Sequence, residues 1–316
     1  MFEMRTISGK KVLVTGGAGF IGSNIAHELC GDNEVLVLDD LSSGKKENLD
    51  GLDVELITAS IRDADRVREA MEGVDYVFHH AAIASVPRSV DDPVSSNQVN
   101  VCGTLRVLVE ARDAKVRKVV FASSSAIYGD TPSEMKREGD LPAPISPYAV
   151  TKMTGEMYCR NFWLNYGLPT CSLRYFNVYG PRQDPSSDYA AVIPRFISAA
   201  LDGRPLTIYG DGGQTRDFIF VQDVVRANIL AATDERHHGE VFNVANQKKV
   251  SVKELASQVL KALGRAEKGN IVHLEERKGD IRHSLADIGK ARRMLDLSPG
   301  YDLEKGLAIT VASMNR

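Results

Sequence analysis

Tyr148 and Lys152 frame the segment Tyr148-Ala149-Val150-Thr151-Lys152, a spacing that puts a phenol and an ammonium on one face of a helix. A free tyrosine, with a pKa of about 10, is a poor base near neutrality. An adjacent cation and a cofactor site that excludes water favour its phenolate, which suits the pair to general-base chemistry. Ser146-Pro147 just before it is a plausible helix start. The run Lys118-Val119-Val120-Phe121-Ala122 ends in Ser123-Ser124-Ser125, so a strand would deliver hydroxyls to the rim where open α/β sheets bind ligands.

A second constellation is suited to holding a dinucleotide. Val12-Leu13-Val14-Thr15 leads into Gly16-Gly17-Ala18-Gly19-Phe20-Ile21-Gly22, with glycines 16, 19 and 22 between a strand and a helix. Missing side chains let the turn form and let the backbone approach a pyrophosphate, which then meets the free N–H groups of the helix N-terminus. Asp39 ends the next strand, about where an acid accepts hydrogen bonds from the adenosine ribose, and Asp40 can share that role. A carboxylate there repels a 2′-phosphate, which favours NAD over NADP; Lys45 and Lys46 lie further along.

The elements that must position these groups follow a βαβ rhythm. Strands are expected at Lys11 to Thr15, Glu34 to Asp39, Val54 to Thr58, Val74 to His79, Lys118 to Ser123 and Thr170 to Tyr175, with helical segments between them. This predicts a doubly wound parallel sheet of the α/β, Rossmann-like class over residues 1–180. After Tyr179-Gly180-Pro181 shorter elements separated by turn signals predict a smaller lobe over 181–316. Asp217 to Val221, the helical stretch to Ala232 and Val241 to Val244 are expected to return to the first sheet, making the lobes interwoven through about 217–245.

Composition narrows the function classes. The 316 residues have a net charge of −3 and a globular apolar content, which gives no reason to expect nucleic acid as a partner. No apolar run approaches the roughly 20 residues of a membrane span, and Met1 to Lys10 lacks a signal-peptide hydrophobic segment, so a cytoplasmic protein is expected. Cys30, Cys102, Cys159 and Cys171 are scattered without metal-like spacing; buried thiols are expected, and no metal site.

The glycine loop, the serine strand end and the Tyr-Lys pair, in this order and spacing, resemble the extended short-chain dehydrogenase/reductases. Within them the chain is similar over nearly its whole length to the nucleotide-sugar 4-epimerases. That likeness rests on His79-His80-Ala81-Ala82, Asn100, Leu173-Arg174-Tyr175-Phe176-Asn177-Val178-Tyr179-Gly180-Pro181, Arg216-Asp217-Phe218 and Arg277-Lys278-Gly279-Asp280. It implies that Ser124 hydrogen-bonds the sugar 4-hydroxyl, with Ser123 and Ser125 beside it. Tyr148 is then the base, and Lys152 holds the nicotinamide ribose while lowering the tyrosine pKa. Phe20, Ile21, Ser60, Ile61, Ala81, Ala82, Asn100 and Tyr175 are implied NAD contacts, with Ser60 and Ile61 near adenine. Asn177, Arg216 and Arg277 would hold the sugar diphosphate, where guanidinium forks suit oxyanions. Tyr209 would lie near uracil and Asp280 near its ribose, with Ser85 and Val192 also on the substrate.

The implied reaction inverts C4 of a UDP-sugar through a 4-keto intermediate without net oxidation. Related 4,6-dehydratases carry Thr-Asp-Glu where this chain has Ser124-Ser125-Ala126, so the acid-base pair that expels water is missing. Ala84-Ser85-Val86-Pro87-Arg88-Ser89, Arg182-Gln183-Asp184-Pro185 and Gly279-Asp280-Ile281-Arg282-His283-Ser284 resemble the subgroup that prefers N-acetylated hexosamines. Ser284 occupies a position held by tyrosine in epimerases restricted to glucose and galactose, and a small residue leaves room for a 2-acetamido group. UDP-N-acetylglucosamine and UDP-N-acetylgalactosamine are the expected pair, with UDP-glucose a further substrate. A UDP-glucuronate 4-epimerase or decarboxylase stays open, since these share the Ser-Tyr-Lys core. A non-catalytic NAD-binding sensor is a reading of another class, opposed by the presence of both Tyr148 and Lys152. Two amphipathic helices are expected around Val94 to Ala114, with apolar positions at 99, 101, 105, 108 and 109, and Tyr148 to Tyr166. Family members pair such helices across a two-fold axis, so a homodimer is expected.

Overall fold

The computed structural model describes residues 6–131, 133–185, 191–265, 270–276 and 282–314. The first half alternates β1 (Lys11–Thr15), α1 (Phe20–Leu29), β2 (Glu34–Asp39), β3 (Glu55–Thr58), α2 (Ala64–Ala70), β4 (Tyr76–His79), α3 (Val86–Asp91), α4 (Pro93–Asn97), α5 (Thr104–Asp113), β5 (Lys118–Ser124), α6 (Pro147–Tyr166) and β6 (Thr170–Tyr175). It continues with β7 (Asn177–Tyr179), α7 (Val192–Leu201), β8 (Leu206–Tyr209), β9 (Thr215–Phe220), α8 (Val221–Thr233) and β10 (Glu240–Val244). β11 (Lys249–Ser251), α9 (Val252–Ala262), β12 (Ile271–Leu274), α10 (Gly289–Leu295) and α11 (Leu303–Met314) complete it.

Seven parallel strands form the main sheet in the order β10-β6-β5-β4-β1-β2-β3. Strand order reverses between β1 and β4, the place where such sheets open a ligand crevice at their carboxyl ends. Both faces are covered, and the strands are accordingly apolar throughout: Val12, Val14, Val37 and Phe242 pack into one buried cluster with Ile25 and Val224, and Leu13, Leu36, Val77 and Phe121 into another with Val107 and Phe162. A third cluster, containing Phe196, Ile208, Phe218, Leu255 and Leu307, forms the core of the smaller lobe.

The predicted bounds of β1, β2 and β6 coincide with those observed, and β5 runs one residue longer. β3 and β4 start later than expected. Val74 closes the turn after α2 with its N–H on the Met71 carbonyl; Asp75 already joins the Lys11 carbonyl and the Arg117 N–H at 2.8 and 2.9 Å, and the paired register begins at Tyr76. The expected return of Asp217 to Val221 to the main sheet is corrected: β9 pairs with β7 and β11 in a separate three-stranded sheet, because β7 has already left the main sheet after Phe176 and offers it an edge. Val221 opens α8, and β10 does return, alongside β6. The helix expected around Val94 to Ala114 contains a π-helical stretch, Gln98–Gly103, between α4 and α5. Cys159 and Cys171 are buried as expected; Cys30 is half-buried and Cys102 exposed.

The smaller lobe is tied together by one carboxylate. Asp217 in β9 is buried and accepts N–H groups from Asn246, Gln247 and Ala286 at 2.9, 3.0 and 3.2 Å. Burial outweighs these donors and pushes its carboxyl up to about 6. Asp217→Ala leaves three N–H groups without their acceptor, and calorimetry is expected to show a loss of about 2–4 kcal/mol of stability.

Candidate active site

α6 begins on the Ser146 side chain, which accepts the Ala149 N–H, followed by Pro147 in the first turn. The Tyr148 N–H donates to Ser89 Oγ at 3.0 Å, fixing the entry of the helix against α3. One turn on, the Lys152 ammonium is buried and donates to the Ala122 carbonyl at 2.7 Å, so α6 is anchored to the end of β5. One turn further, Glu156 accepts Ser123 Oγ at 2.5 Å and a two-pronged guanidinium contact from Arg174 at 2.7 and 2.8 Å. Arg174 also lies over the Tyr128 ring. α6, the serine strand end and β6 are thus joined by a buried ion pair and its hydrogen bonds.

Ser124 follows Ser123 at the strand end. Its Oγ accepts the Ala126 N–H at 3.1 Å, and the side chain is near enough to the Tyr148 phenol to favour its ionised form. The sequence predicts that Lys152 lowers the Tyr148 pKa; in this arrangement burial holds the phenol above its ordinary range, and the opposing influence comes from Ser124. The Lys152 Nζ is 5.9 Å from the Tyr148 ring centre, spent on Ala122, and burial pulls it down to about 8. His79 and His80 are brought to about 3 by burial, with Lys152 adding to the effect, so they are neutral hydrogen-bonding groups. His80 Nε2 meets the Tyr175 hydroxyl at 3.0 Å, and Tyr175 donates to Asn228 at 3.0 Å.

Tyr148, Lys152, Ala122, Ser123 and Tyr175 line a cavity of about 770 Å³ at the strand-order switch. Gly16, Gly19, Phe20, Ile21, Gly22, Asp39, Asp40, Ser60, Ile61, Ala81 and Ala82, which the sequence reading assigns to the cofactor, line the same cavity. Gly16 has φ +69°, and a Cβ on Gly22 would sit 2.2 Å from the Gly16 carbonyl, so side chains would fill the cradle. No side chain caps α1, which leaves its first amides as donors. Asp39 is fixed by the N–H groups of Ala18 and Leu41 at 3.0 and 2.9 Å. Lys45 pairs with Asp184 at 2.9 Å, a commitment that weakens the case for a 2′-phosphate. These residues fit NAD: the glycine turn for its pyrophosphate, Asp39 for its adenosine ribose, Tyr148 and Lys152 at its reactive end.

Asn100 is placed differently from the implied NAD contact. It is buried in the π-helical stretch, its Oδ1 accepting the Ile83 N–H at 2.8 Å and its Nδ2 donating to the Ile83 carbonyl and Thr151 Oγ1 at 3.1 Å each. It locks the wall of the cavity to α6. Ser85 caps α3 by accepting the Arg88 N–H. Cavity-lining residues that sequence reasoning left without a cofactor role include Asn48, Arg62, Arg88 and the loop Arg182 to Pro185. They are brought in from distant parts of the chain, Arg88 on α3 and Asn48 in a short 3-10 helical turn.

A second cavity, of about 750 Å³, shares Pro185 and Ala191 with the first. Asn177, Val192, Tyr209 and Arg216, which the sequence reading assigns to the substrate, line it together with Arg195, whose guanidinium lies 5.9 Å from the Tyr209 ring centre. Asn177 donates to the Asp217 carbonyl at 3.1 Å and Arg216 to the Thr215 carbonyl at 2.9 Å. Ser284 is half-buried and its N–H donates to the Thr215 carbonyl at 3.1 Å, next to Arg216. Arg277 and Asp280 lie outside the described residues. Among the described residues no group of three or more His, Cys, Asp or Glu could hold a metal ion, and no helix is long and apolar enough to cross a membrane.

The glycine cradle at the switch point and the Ser-Tyr-Lys set beside it define a dinucleotide-dependent enzyme of the short-chain dehydrogenase/reductase type. Residues 12–245 match the NAD dependent epimerase/dehydratase family. The chain is 42% identical over 309 residues to the UDP-glucose 4-epimerase of Mycolicibacterium smegmatis, covering 95% of this chain and 97% of that protein. The UDP-N-acetylglucosamine 4-epimerase from Methanobrevibacter ruminantium, solved in complex with UDP-N-acetylmuramic acid, is 43% identical with a TM-score of 0.94, covering 98% and 99% of the two chains. The UDP-glucose 4-epimerase of Thermotoga maritima, solved with UDP-glucose, is 40% identical with a TM-score of 0.91, covering 96% and 98%. The chain belongs to the NAD dependent epimerase/dehydratase family; it is an isomerase of the 4-epimerase type, with NAD as its cofactor.

The buried Lys152 charge costs stability that the site retains for function. Lys152→Met is expected to abolish turnover yet stabilise the NAD-free protein by about 1–2 kcal/mol at pH 7. A lysine whose folded pKa is depressed gives a native state that binds fewer protons than the unfolded chain. Wild-type stability therefore rises between about pH 8 and the ordinary lysine range. The gap between the two proteins in denaturant titrations should narrow over that window.

Proposed function

We propose that this protein interconverts UDP-N-acetylglucosamine and UDP-N-acetylgalactosamine, with UDP-glucose and UDP-galactose as further substrates. The observation that carries the reading is the adjacency of two cavities: one lined by Ser123, Tyr148 and Lys152 at the NAD site, with Ser124 next in the strand end, the other by Asn177 and Arg216, which suit a sugar diphosphate. The sugar end of a substrate in the second cavity would then reach the hydroxyls of the first. The similarity to a UDP-N-acetylglucosamine 4-epimerase supports the acetylated pair, as does the small side chain of Ser284.

Tyr148 takes the proton of the 4-hydroxyl, with the Ser124 hydroxyl stabilising the phenolate by hydrogen bonding. When bound, NAD supplies a hydride acceptor that returns the same hydride, and a positive ring that favours the phenolate. Lys152 keeps α6 seated on β5 and contributes its charge to the same region. The 4-keto sugar then presents its other face, and Tyr148 gives the proton back to the inverted oxygen. The walls formed by Ala81, Ala82 and Ala122 limit water around the phenol.

The test compares UDP-N-acetylglucosamine, UDP-glucose and UDP-glucuronate with one preparation, scoring epimer, free NADH and carbon dioxide. Inversion of the acetylated sugar without net NADH is expected. Stoichiometric NADH release would overturn the mechanism, and turnover confined to the uronate would overturn the substrate. Ser284→Tyr should reduce kcat/KM for the acetylated sugar by about 10-fold or more and leave UDP-glucose nearly unchanged; equal losses would remove Ser284 from the specificity argument.

A homodimer is part of the same reading. On α6, Val150, Met157 and Leu164 are 44%, 65% and 66% exposed and recur every seven residues, forming one outward stripe. Val94 on α4 is 64% exposed, and α4 packs on α6, which continues the apolar face. A second copy covers this face. Light scattering is expected to give twice the chain mass, and Met157→Glu to shift it toward one.

A further inference from the structure

Arg182 is an arginine for which neither the fold nor the reaction supplies a task. It follows β7 in a loop tied on both sides of the NAD cavity. On one side, Asn24 of α1 donates to the Pro181 carbonyl at 3.2 Å and Gln183 donates to the Val178 carbonyl at 3.3 Å. On the other, Asp184 pairs with Lys45 at 2.9 Å, and the Lys45 N–H is held by the Ala18 carbonyl of the glycine turn at 3.0 Å. Residues 182–185, tied at these points, thus line the same cavity as Gly16, Gly19 and Gly22.

Two features of Arg182 are unfavourable in the protein alone. Its backbone is left-handed, φ +68°, a conformation that penalises a residue bearing a Cβ. It is half-buried, lines the cavity and has a buried Nε without a hydrogen-bond partner among the described residues; burial pulls its pKa down, and no described anion offsets it. The contrast with Arg174, whose buried guanidinium is matched by Glu156, is direct. An unpaired, desolvated cation on a strained backbone is retained at a functional site when a bound anion completes it. The glycine turn and the uncapped α1 offer neutral N–H donors to a doubly charged pyrophosphate, while Lys45 and Lys152 are engaged with Asp184 and Ala122.

We propose that Arg182 is the cationic partner of the NAD pyrophosphate, presented by the 181–185 strap so that the cofactor is held from two sides. The inference rests on NAD as the resident cofactor but not on the identity of the sugar. An enzyme that takes a hydride and returns it to the same substrate must keep its cofactor through both halves of the reaction. A guanidinium closing over the pyrophosphate serves that retention.

Arg182→Gly and Arg182→Lys in the full chain test it by equilibrium binding of ADP-ribose, adenosine and UDP, together with the NAD retained on purification and the melting temperature. Arg182→Gly removes the charge and relieves the backbone strain. It is expected to weaken ADP-ribose by about 30-fold and deplete retained NAD. Adenosine and UDP should stay within about twofold and the melting temperature of the NAD-free protein should hold or rise. Arg182→Lys should recover part of the ADP-ribose affinity. Unchanged ADP-ribose binding would overturn the proposal. So would a loss confined to UDP, which would assign the guanidinium to the sugar nucleotide, or a fall in melting temperature with equal losses for all three ligands, which would make Arg182 structural. Failure of the epimerase reading would appear as absent turnover with the ADP-ribose result intact.

Discussion

The Glu156 carboxylate is the contact on which the site geometry depends. It lies one helical turn beyond Lys152 and receives both Ser123, the neighbour of Ser124, and Arg174 from the adjoining strand. Three elements that each bring part of the chemistry are locked by one buried group. Buried pairs of this kind add little net stability over a well-packed apolar alternative, but losing one partner leaves a bare charge and costs about 3–5 kcal/mol. The arrangement therefore enforces register: a slip of α6 along β5 would strand Glu156 or Arg174 away from water and partner alike.

With that register set, Tyr148 is left in a demanding position. Burial pushes its phenol up, away from the base it must become, and the protein alone offers the nearby Ser124 side chain as counterweight. Lys152 is near but engaged with the Ala122 carbonyl. The same burial that makes the resting phenol reluctant to ionise also makes any charge brought beside it effective, because little water screens it. Neutral His79 and His80 complete a wall that supplies hydrogen bonds without adding a competing charge.

The second lobe is organised on a similar principle, with Asp217 gathering backbone N–H groups from two distant loops between the substrate-side residues Arg216 and Phe218. Its strand belongs to a small sheet of its own, so the lobe grows from the edge that β7 offers once it leaves the main sheet. The two cavities meet where the loop after β7 leads into α7, at Pro185 and Ala191. Cofactor and substrate readings converge on that crossing.

The sequence by itself determined the parallel sheet, the glycine cradle, Asp39 at the end of β2 and the Tyr148–Lys152 face, because each depends on local pattern: short continuous apolar runs alternating with helical segments, turns that need bare backbone, and residues four apart on a helix. Tertiary structure decided what spacing does not encode. It sent β9 to a separate sheet, turned Asn100 into a lock between Ile83 and Thr151, and committed Lys152 to Ala122 rather than to the phenol. It also brought Lys45 and Asp184 together across 139 positions of chain. These outcomes follow from which groups become buried and which partners lie within reach, and that is settled only when distant segments pack and each desolvated polar group must find its match.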